Sequence, residues 1–244
     1  MSREMKHERY GDFENIKKLG RREQSVYVTT AEYEYAGIEL TALTEPSSIP
    51  FSDNIDRPHA FGLISNENRV TKGRFDRLPL VQEWILRHRP ATPIFGAWSE
   101  ESEAKLGRKI ESIDALNMIP TLQSFGATIT FPASASGWAT AKPWEAFAAG
   151  TPIFFHPKYD EQGHIIPQRI GASKTWAGTD PDALWLAQRL RVMSPGDLQE
   201  KLLAITTDRG LWSEIIHRQR AYFERAFTYW GGGVRRIAVE IECR

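Results

Sequence analysis

The stretch that decides the fold runs from residue 142 to residue 155 and reads KPWEAFAAGTPIFF. Its first eight residues, 142–149, predict a helix, and Gly150 just beyond them suits the left-handed conformation in which many helices end. The apolar run from Pro152 to Phe155 predicts a buried strand. A helix that leads directly into a buried strand is typical of a parallel α/β sheet.

The same alternation continues on both sides of this stretch. Three more apolar runs predict buried strands, at 60–64, 93–96 and 127–131. Three helical stretches follow, beginning at Asp180, at Ser194 and near Trp212, and Gly231 to Gly233 are expected to interrupt the last one. The predicted fold class is therefore α/β: a Rossmann-like, doubly wound parallel sheet with helices on both faces and further helices toward the C-terminus.

Composition narrows the class of protein. The 244 residues carry 31 Lys plus Arg and 31 Asp plus Glu, so the net charge is zero. This balance argues against a protein that coats nucleic acid, which needs a basic surplus. The single cysteine, Cys243, excludes intramolecular disulfides and cysteine-rich zinc sites. No apolar run has the length of a membrane span or of a signal-peptide core, and a cytoplasmic location is expected.

A change of composition near residue 58 predicts the domain organisation. Residues 44–58 contain three prolines and three serines without periodicity, which is typical of a linker or long loop. Residues 1–58 are therefore predicted to be an N-terminal extension and linker. Residues 59–244 are predicted to form the packed domain.

The loop after the strand at 127–131 carries the chemistry. It consists mostly of small residues, from Pro132 to Ala141, and leads into the helix that starts at Lys142. Small side chains let the backbone approach a ligand, and a helix N-terminus is a natural seat for a phosphate. Because a lysine there opposes the helix dipole, Lys142 indicates a bound anion; a plain turn of small residues is the alternative interpretation. Glu145 either complements the dipole or accepts hydrogen bonds from two ribose hydroxyls.

The segment KPWEAFAAGTPI resembles the donor-binding signature of GT-B glycosyltransferases, Glu-Ala-x-x-x-Gly-x-Pro. A basic loop with Arg69, Lys72 and Arg74 also follows the first predicted strand, where retaining GT-B enzymes often place the pair that grips the pyrophosphate. The resemblance covers about residues 59 to 230 and corresponds to the donor-binding half of such an enzyme. The domain at 59–244 is then expected to bind a nucleotide sugar.

The resemblance implies roles for single residues. Glu145 would hold the ribose hydroxyls, while Lys72 with Arg69 or Arg74 would clamp the diphosphate and stabilise the charge that develops on it during the reaction. Lys72 and Arg74 are the catalytic candidates. Residues near Ile119 to Thr121 would lie near the base. The other substrate-binding candidates are Lys142, Ser136, Gly137, Trp138, Thr140 and Asp160.

The sequence departs from the family pattern in two respects. Many retaining GT-B enzymes carry two glutamates eight positions apart, and the first would fall at Gly137, which has no side chain. Only about 58 residues precede the match, too few for an acceptor domain of comparable size. A minimal enzyme, or a split enzyme whose acceptor domain is a second chain, is expected.

The resemblance implies a retaining, metal-independent transferase without a cofactor. It would move a hexose from a nucleoside-diphosphate sugar, for example UDP-glucose, to a saccharide, a small molecule or a modified DNA base. A nucleotide-sugar epimerase on the same scaffold is one alternative, and a non-catalytic binding or assembly module is another. His156, Asp160 and His164 match no standard metal spacing, so a polar loop is favoured over a metal site.

Overall fold

The structure, a computed structural model, describes residues 50–67, 76–114, 116–132, 142–160, 163, 165–167 and 176–242, with side chains as far as residue 226 except at Trp176. The chain divides into two compact units, Thr44–Arg225 and a second one formed by Met1–Leu43 and Ala226–Arg244. In the second unit, the described part is a helical backbone from residue 226 to residue 242. The sheet and the candidate site belong to the first unit.

In the described part of the first unit, four short parallel strands form the centre. They are β1 (Leu63–Ile64), β2 (Ile94–Phe95), β3 (Thr128–Thr130) and β4 (Ile153–Phe155). β1 pairs with β2 and β3 pairs with β4, both in parallel. The Gly62 amide donates to the Ala127 carbonyl at 3.0 Å, which joins the two pairs in the order β2-β1-β3-β4. All four strands lie at the predicted positions, and the α/β fold class is confirmed.

Helices connect and cover the strands. They are α1 (Arg77–Val81) with a π-helical turn (Gln82–Leu86), α2 (Glu100–Leu106), α3 (Met118–Gln123), α4 (Lys142–Ala149), α5 (Pro181–Leu190), α6 (Pro195–Thr207) and α7 (Arg209–Glu242). A short 3₁₀ turn, Trp176–Gly178, precedes α5. The π-helical turn is not predicted by the sequence, because apolar spacing does not distinguish it from an α-helix.

Local capping chemistry explains where three helices begin. The Ser99 hydroxyl accepts the Ser102 amide at 3.3 Å at the start of α2. Asp180 accepts the amides of Asp182 and Ala183 at 2.9 and 3.0 Å before α5, and Ser194 accepts the Asp197 amide at 3.1 Å before α6. These short polar side chains satisfy amides that would otherwise lack a partner in the first turn. The predicted helix starts at Asp180 and Ser194 are confirmed.

The prediction that Gly231 to Gly233 interrupt the last helix is wrong. The backbone of α7 remains helical from Arg209 to Glu242, through all three glycines. Glycine lowers helix stability by about 1 kcal/mol per residue relative to alanine, but its backbone can adopt helical angles. A glycine run therefore weakens this part of the helix without ending it.

The core of the first unit is rich in aromatic side chains. Trp144 on α4 lies 5.7 Å from the Tyr222 ring and 5.6 Å from the Phe223 ring, both on α7. All three side chains are buried. Burial of aromatic rings of this size contributes strongly to stability. This contact anchors α4, the helix that carries Lys142 and Glu145, against α7.

The segment at residues 50–58 packs on the C-terminal end of α4. The Ser52 amide donates to the Ala149 carbonyl at 3.3 Å, and Arg57 donates to the carbonyls of Ser52 and Gly150 at 2.7 and 3.2 Å. Residues predicted to be a linker are thus held against the domain here. The predicted division of the chain at residue 58 stays a prediction. In the described parts of the chain, no helix is both long enough and apolar enough to cross a membrane.

Candidate functional site

The strand order reverses between β1 and β3. The chain leaves β1 toward β2 on one side and leaves β3 toward β4 on the other. In doubly wound sheets, ligands bind beyond the carboxyl ends of the strands at such a reversal. The expected ligand position is therefore beside Ile64 and Thr130, the last residues of these two strands.

Lys142 reaches this position from the first turn of α4. Its Nζ donates a hydrogen bond to the Ile64 carbonyl at 2.6 Å, so the ammonium lies at the carboxyl end of β1. Burial, and to a smaller extent the positive charge of Arg77, lower the pKa of Lys142 to about 7, while the charge of Glu145 opposes this shift. Near neutral pH this lysine can therefore gain or lose its proton.

Arg77 reaches the same strand end from α1. Its Nη1 donates to the Ser65 hydroxyl and to the Asn66 carbonyl, both at 3.1 Å. The side chain is buried, and the Asp76 carboxylate caps α1 just before it by accepting the Leu78 amide at 2.9 Å. Two cations from two helix N-termini thus contact three consecutive residues, from Ile64 at the end of β1 to Asn66, which makes this end of the strand attractive to an anion.

Glu145 lies one turn into α4, three residues after Lys142. The residue is half-buried, and its charge favours the protonated form of Lys142. The carboxylate and the ammonium are therefore electrostatically coupled within one site. The site thus has an acceptor close to the Lys142 donor, while a ribose-binding role for Glu145 stays a prediction.

Hydrogen bonds hold the chain after β1 in a defined shape. The Trp98 indole donates to the Ser65 carbonyl at 2.6 Å, and the Ala97 amide donates to the Asn66 side chain at 3.0 Å. The Glu67 carboxylate accepts the Ser99 amide at 2.7 Å and the Ser102 hydroxyl at 2.6 Å. The groups that contact Arg77 and Lys142 are thus positioned by the loop after β2.

Asp160 follows β4 in a left-handed backbone conformation, with φ of 51°. Its buried carboxylate accepts the amides of Ile165 and Ile166 at 2.9 and 3.2 Å and lies 3.4 Å from the Arg191 guanidinium. Arg191 also donates to the carbonyls of Tyr159 and Pro167. Asp160 therefore organises the chain after β4, and its contact with a substrate stays a prediction.

The structure brings some of the predicted site residues together. Lys142 and Glu145 interact close to the end of β1, whereas Asp160 is turned toward Ile165, Ile166 and Arg191. Ile119 and Thr121, expected near the base, lie half-buried on α3, which packs beside α4. The remaining predicted site residues lie outside the described residues: Arg69, Lys72, Arg74, Ser136, Gly137, Trp138 and Thr140.

Sequence reasoning missed Arg77. The signal was present, because Arg77 is a basic residue in the first turn of a helix, where the helix dipole disfavours a positive charge. The same argument singled out Lys142. Applying it to every predicted helix start would have found the second cation.

Solved structures of a β-glucosyltransferase have a similar fold. The DNA-modifying enzyme β-glucosyltransferase, studied with and without uridine diphosphoglucose, aligns with a TM-score of 0.56 and 12% identity over 83% of this chain and 56% of that chain. T4 phage β-glucosyltransferase in complex with UDP-glucose aligns with a TM-score of 0.55 and 12% identity over 83% and 54%. At this identity the likeness establishes the fold alone, and the predicted GT-B type of fold is confirmed.

The chain spans about half the length of these enzymes. No protein-family model and no curated protein matches the sequence. The shared fold is a glycosyltransferase-like architecture that includes the four described strands. The activity, the substrates and the partners of this chain therefore have to be inferred from its own residues.

Proposed function

We propose that this chain binds a nucleoside-diphosphate sugar and acts as a glycosyltransferase, or as the donor-binding half of one. The single observation that carries the proposal is the convergence of Arg77 and Lys142 beside Glu145 at the strand reversal. Two cations suit a diphosphate, and a carboxylate suits vicinal hydroxyls of a ribose. UDP-glucose is the proposed donor because the structural neighbours were solved with it.

Isothermal titration calorimetry tests the donor site. We expect binding of UDP-glucose to the wild-type chain, and GDP-glucose and ADP-glucose serve to define base preference. Absence of binding to all three would refute the proposal. Because a hydrogen bond to a charged group contributes about 1.5–3 kcal/mol, Glu145→Gln is expected to weaken binding by roughly tenfold or more.

Glu100→Gln is the matched control for Glu145. Glu100 is also an acid in the first turn of a helix, α2, but it is exposed and lies on another element. Both substitutions remove the same charge from a comparable helix position. Equal affinities for the two variants would remove Glu145 from the proposed site.

The acceptor and the outcome of the transfer belong to the same proposal. Saccharides, small molecules and DNA containing a modified base are the acceptor classes to assay, and DNA comes first because one neighbour is a DNA-modifying enzyme. The resemblance in residues 142–153 implies retention of the anomeric configuration without a metal or a further cofactor. NMR of the product's anomeric proton, after reaction in the presence of a chelator, tests both properties.

A non-catalytic or split donor domain is the second candidate. The observation that favours it is the extent of the match, which covers only about half of the glycosyltransferases with its fold. We then expect donor binding without transfer until a second chain is added. Transfer by the purified chain alone would exclude this candidate, and release of an epimerised sugar nucleotide would instead indicate an epimerase.

A further inference from the structure

His156 is a buried polar residue that the proposed site does not yet use. It is the first residue after β4, and its backbone amide donates to the Thr130 carbonyl at the end of β3 over 3.2 Å. The residue is 5% exposed. His156 therefore lies at the carboxyl edge of the sheet, on the same edge as Lys142.

The imidazole has a defined protonation state. Its Nδ1 accepts a hydrogen bond from the Lys158 backbone amide at 3.2 Å, so the ring proton is on Nε2. Burial lowers the pKa of His156 to about 4, and the charge of Lys158 acts in the same direction. At neutral pH the side chain is an uncharged donor.

Two aromatic side chains hold the ring. The Trp84 ring centroid lies 4.5 Å from that of His156, and the Phe131 centroid lies 5.7 Å away. Trp84 belongs to the π-helical turn, a rare conformation that often marks functional sites. Among the described residues, none accepts a hydrogen bond from Nε2. A donor that is held in place and has no acceptor among the described residues is suited to binding a ligand.

The position of His156 relative to the two cations matches the shape of a sugar nucleotide. β3 lies between β1 and β4, and neighbouring strands are about 4.8 Å apart, so the ends of β1 and β4 are about 10 Å apart. A diphosphate held by Arg77 and Lys142 at β1 can extend its hexose along the sheet edge. The hexose would then reach the end of β4.

We propose that His156 binds the transferred hexose by donating a hydrogen bond from Nε2 to one of its oxygens. An uncharged donor suits a hydroxyl of a neutral sugar better than a phosphate. This inference rests on the proposed function. It adds a side chain for sugar recognition, because the family's first glutamate position is occupied here by Gly137, which has none.

Calorimetry with UDP-glucose and with UDP separates sugar contacts from nucleotide contacts. His156→Phe keeps an aromatic ring but removes the donor, and we expect a threefold to tenfold loss of affinity for UDP-glucose, the range of one hydrogen bond. The affinity for UDP is expected to stay unchanged. His156→Gln, whose amide nitrogen can replace Nε2, should recover part of the loss. His88→Phe, at an exposed histidine, is the control and should bind both ligands as the wild type does.

The outcomes distinguish this inference from the proposed function. If the wild type binds UDP and UDP-glucose, equal losses for both ligands in His156→Phe would overturn the sugar contact, and so would no loss at all. A wild-type chain that binds neither ligand would overturn the proposed function and this inference together. Thermal unfolding shows whether His156→Phe folds. If it does not, His156→Leu, a second variant without the donor, is used instead. The ratio of its affinities for UDP-glucose and UDP is then judged by the same criteria.

Discussion

Arg77 and Lys142 bring two positive charges to the same strand end, which is unfavourable for the protein alone. Burial and repulsion by Arg77 both disfavour the ammonium form of Lys142. A bound diphosphate would reverse both effects, because it replaces lost hydration and neutralises the two cations. These electrostatics at single residues are consistent with the proposed diphosphate site.

The first prediction concerns the pH dependence of binding at Lys142. Its pKa in the free protein is about 7, and a diphosphate should raise it. The affinity for UDP-glucose should then be highest below pH 7 and fall as the pH rises toward 9, by up to tenfold per pH unit. Calorimetry between pH 6 and 9 measures this, and UDP-glucose is suitable because its esterified diphosphate does not titrate in that range.

Lys142→Met provides the control for this pH dependence. The variant should bind UDP-glucose more weakly than the wild type at pH 6, with an affinity that changes little up to pH 9. A wild-type affinity that is constant across this range would contradict the assignment of Lys142 to the anion site.

The second prediction concerns Arg191, the buried partner of Asp160. Arg191→Met removes the cation beside the buried Asp160 carboxylate and the donor of several buried carbonyls, and we expect a loss of roughly 3–5 kcal/mol in the free energy of unfolding. Arg209→Met is the control, because the Arg209–Asp56 pair at 3.0 Å is exposed and should contribute less than about 1 kcal/mol. Urea denaturation measures both, and similar losses in the two variants would be inconsistent with this reasoning.

At the scale of single elements, α4 is the helix on which the site depends. Its first turn carries Lys142, which reaches the end of β1, and Glu145, and its buried face packs through Trp144 on α7. At its C-terminus Gly150 turns the chain into β4 with φ of 77°. The position of the site residues thus depends on contacts at the opposite end of the same helix.

The third prediction compares Gly150 and Gly107, two glycines that each follow a helix and have a positive φ. A Cβ at Gly150 would lie 2.4 Å from the Ser52 carbonyl oxygen, whereas a Cβ at Gly107, after α2, would meet no atom within 4 Å. Gly107→Ala should therefore cost only the backbone strain, about 1–2 kcal/mol. Gly150→Ala should cost more, because the backbone around Ser52 must also move. Chemical denaturation of both variants measures the difference, and equal losses would contradict the importance of the Ser52 contact.

At the scale of the whole molecule, ligand binding should stabilise the fold. A ligand at 100 times its dissociation constant adds about 2.7 kcal/mol to the free energy of unfolding. For a protein of this size we expect a rise in Tm of roughly 5–10 °C with UDP-glucose. Differential scanning calorimetry measures the shift, which should be much smaller at the same ligand concentration for Lys142→Met. An unchanged Tm of the wild type at saturating UDP-glucose would contradict the proposed donor.

Much of the architecture could be predicted from local patterns. The four strands are short apolar runs, and Asp180 and Ser194 are N-cap residues that indicate where helices begin. Such features depend on residues close together in the sequence, and a sequence shows them directly. The continuous helix across Gly231 to Gly233 was not predictable in this way, because a propensity for ending a helix is weak and other contacts can outweigh it.

The sequence by itself determined the α/β class, the order of the strands along the chain and the candidacy of Lys142 and Glu145, because each follows from periodicity, capping or charge within a few residues. Only the tertiary structure decided that Arg77 and Lys142 meet at Ile64, that Asp160 is turned into a buried network, and that His156 lies between Trp84 and Phe131. These contacts join residues far apart in the chain. They arise because parallel strands bring the residues that follow them to one common edge of the sheet.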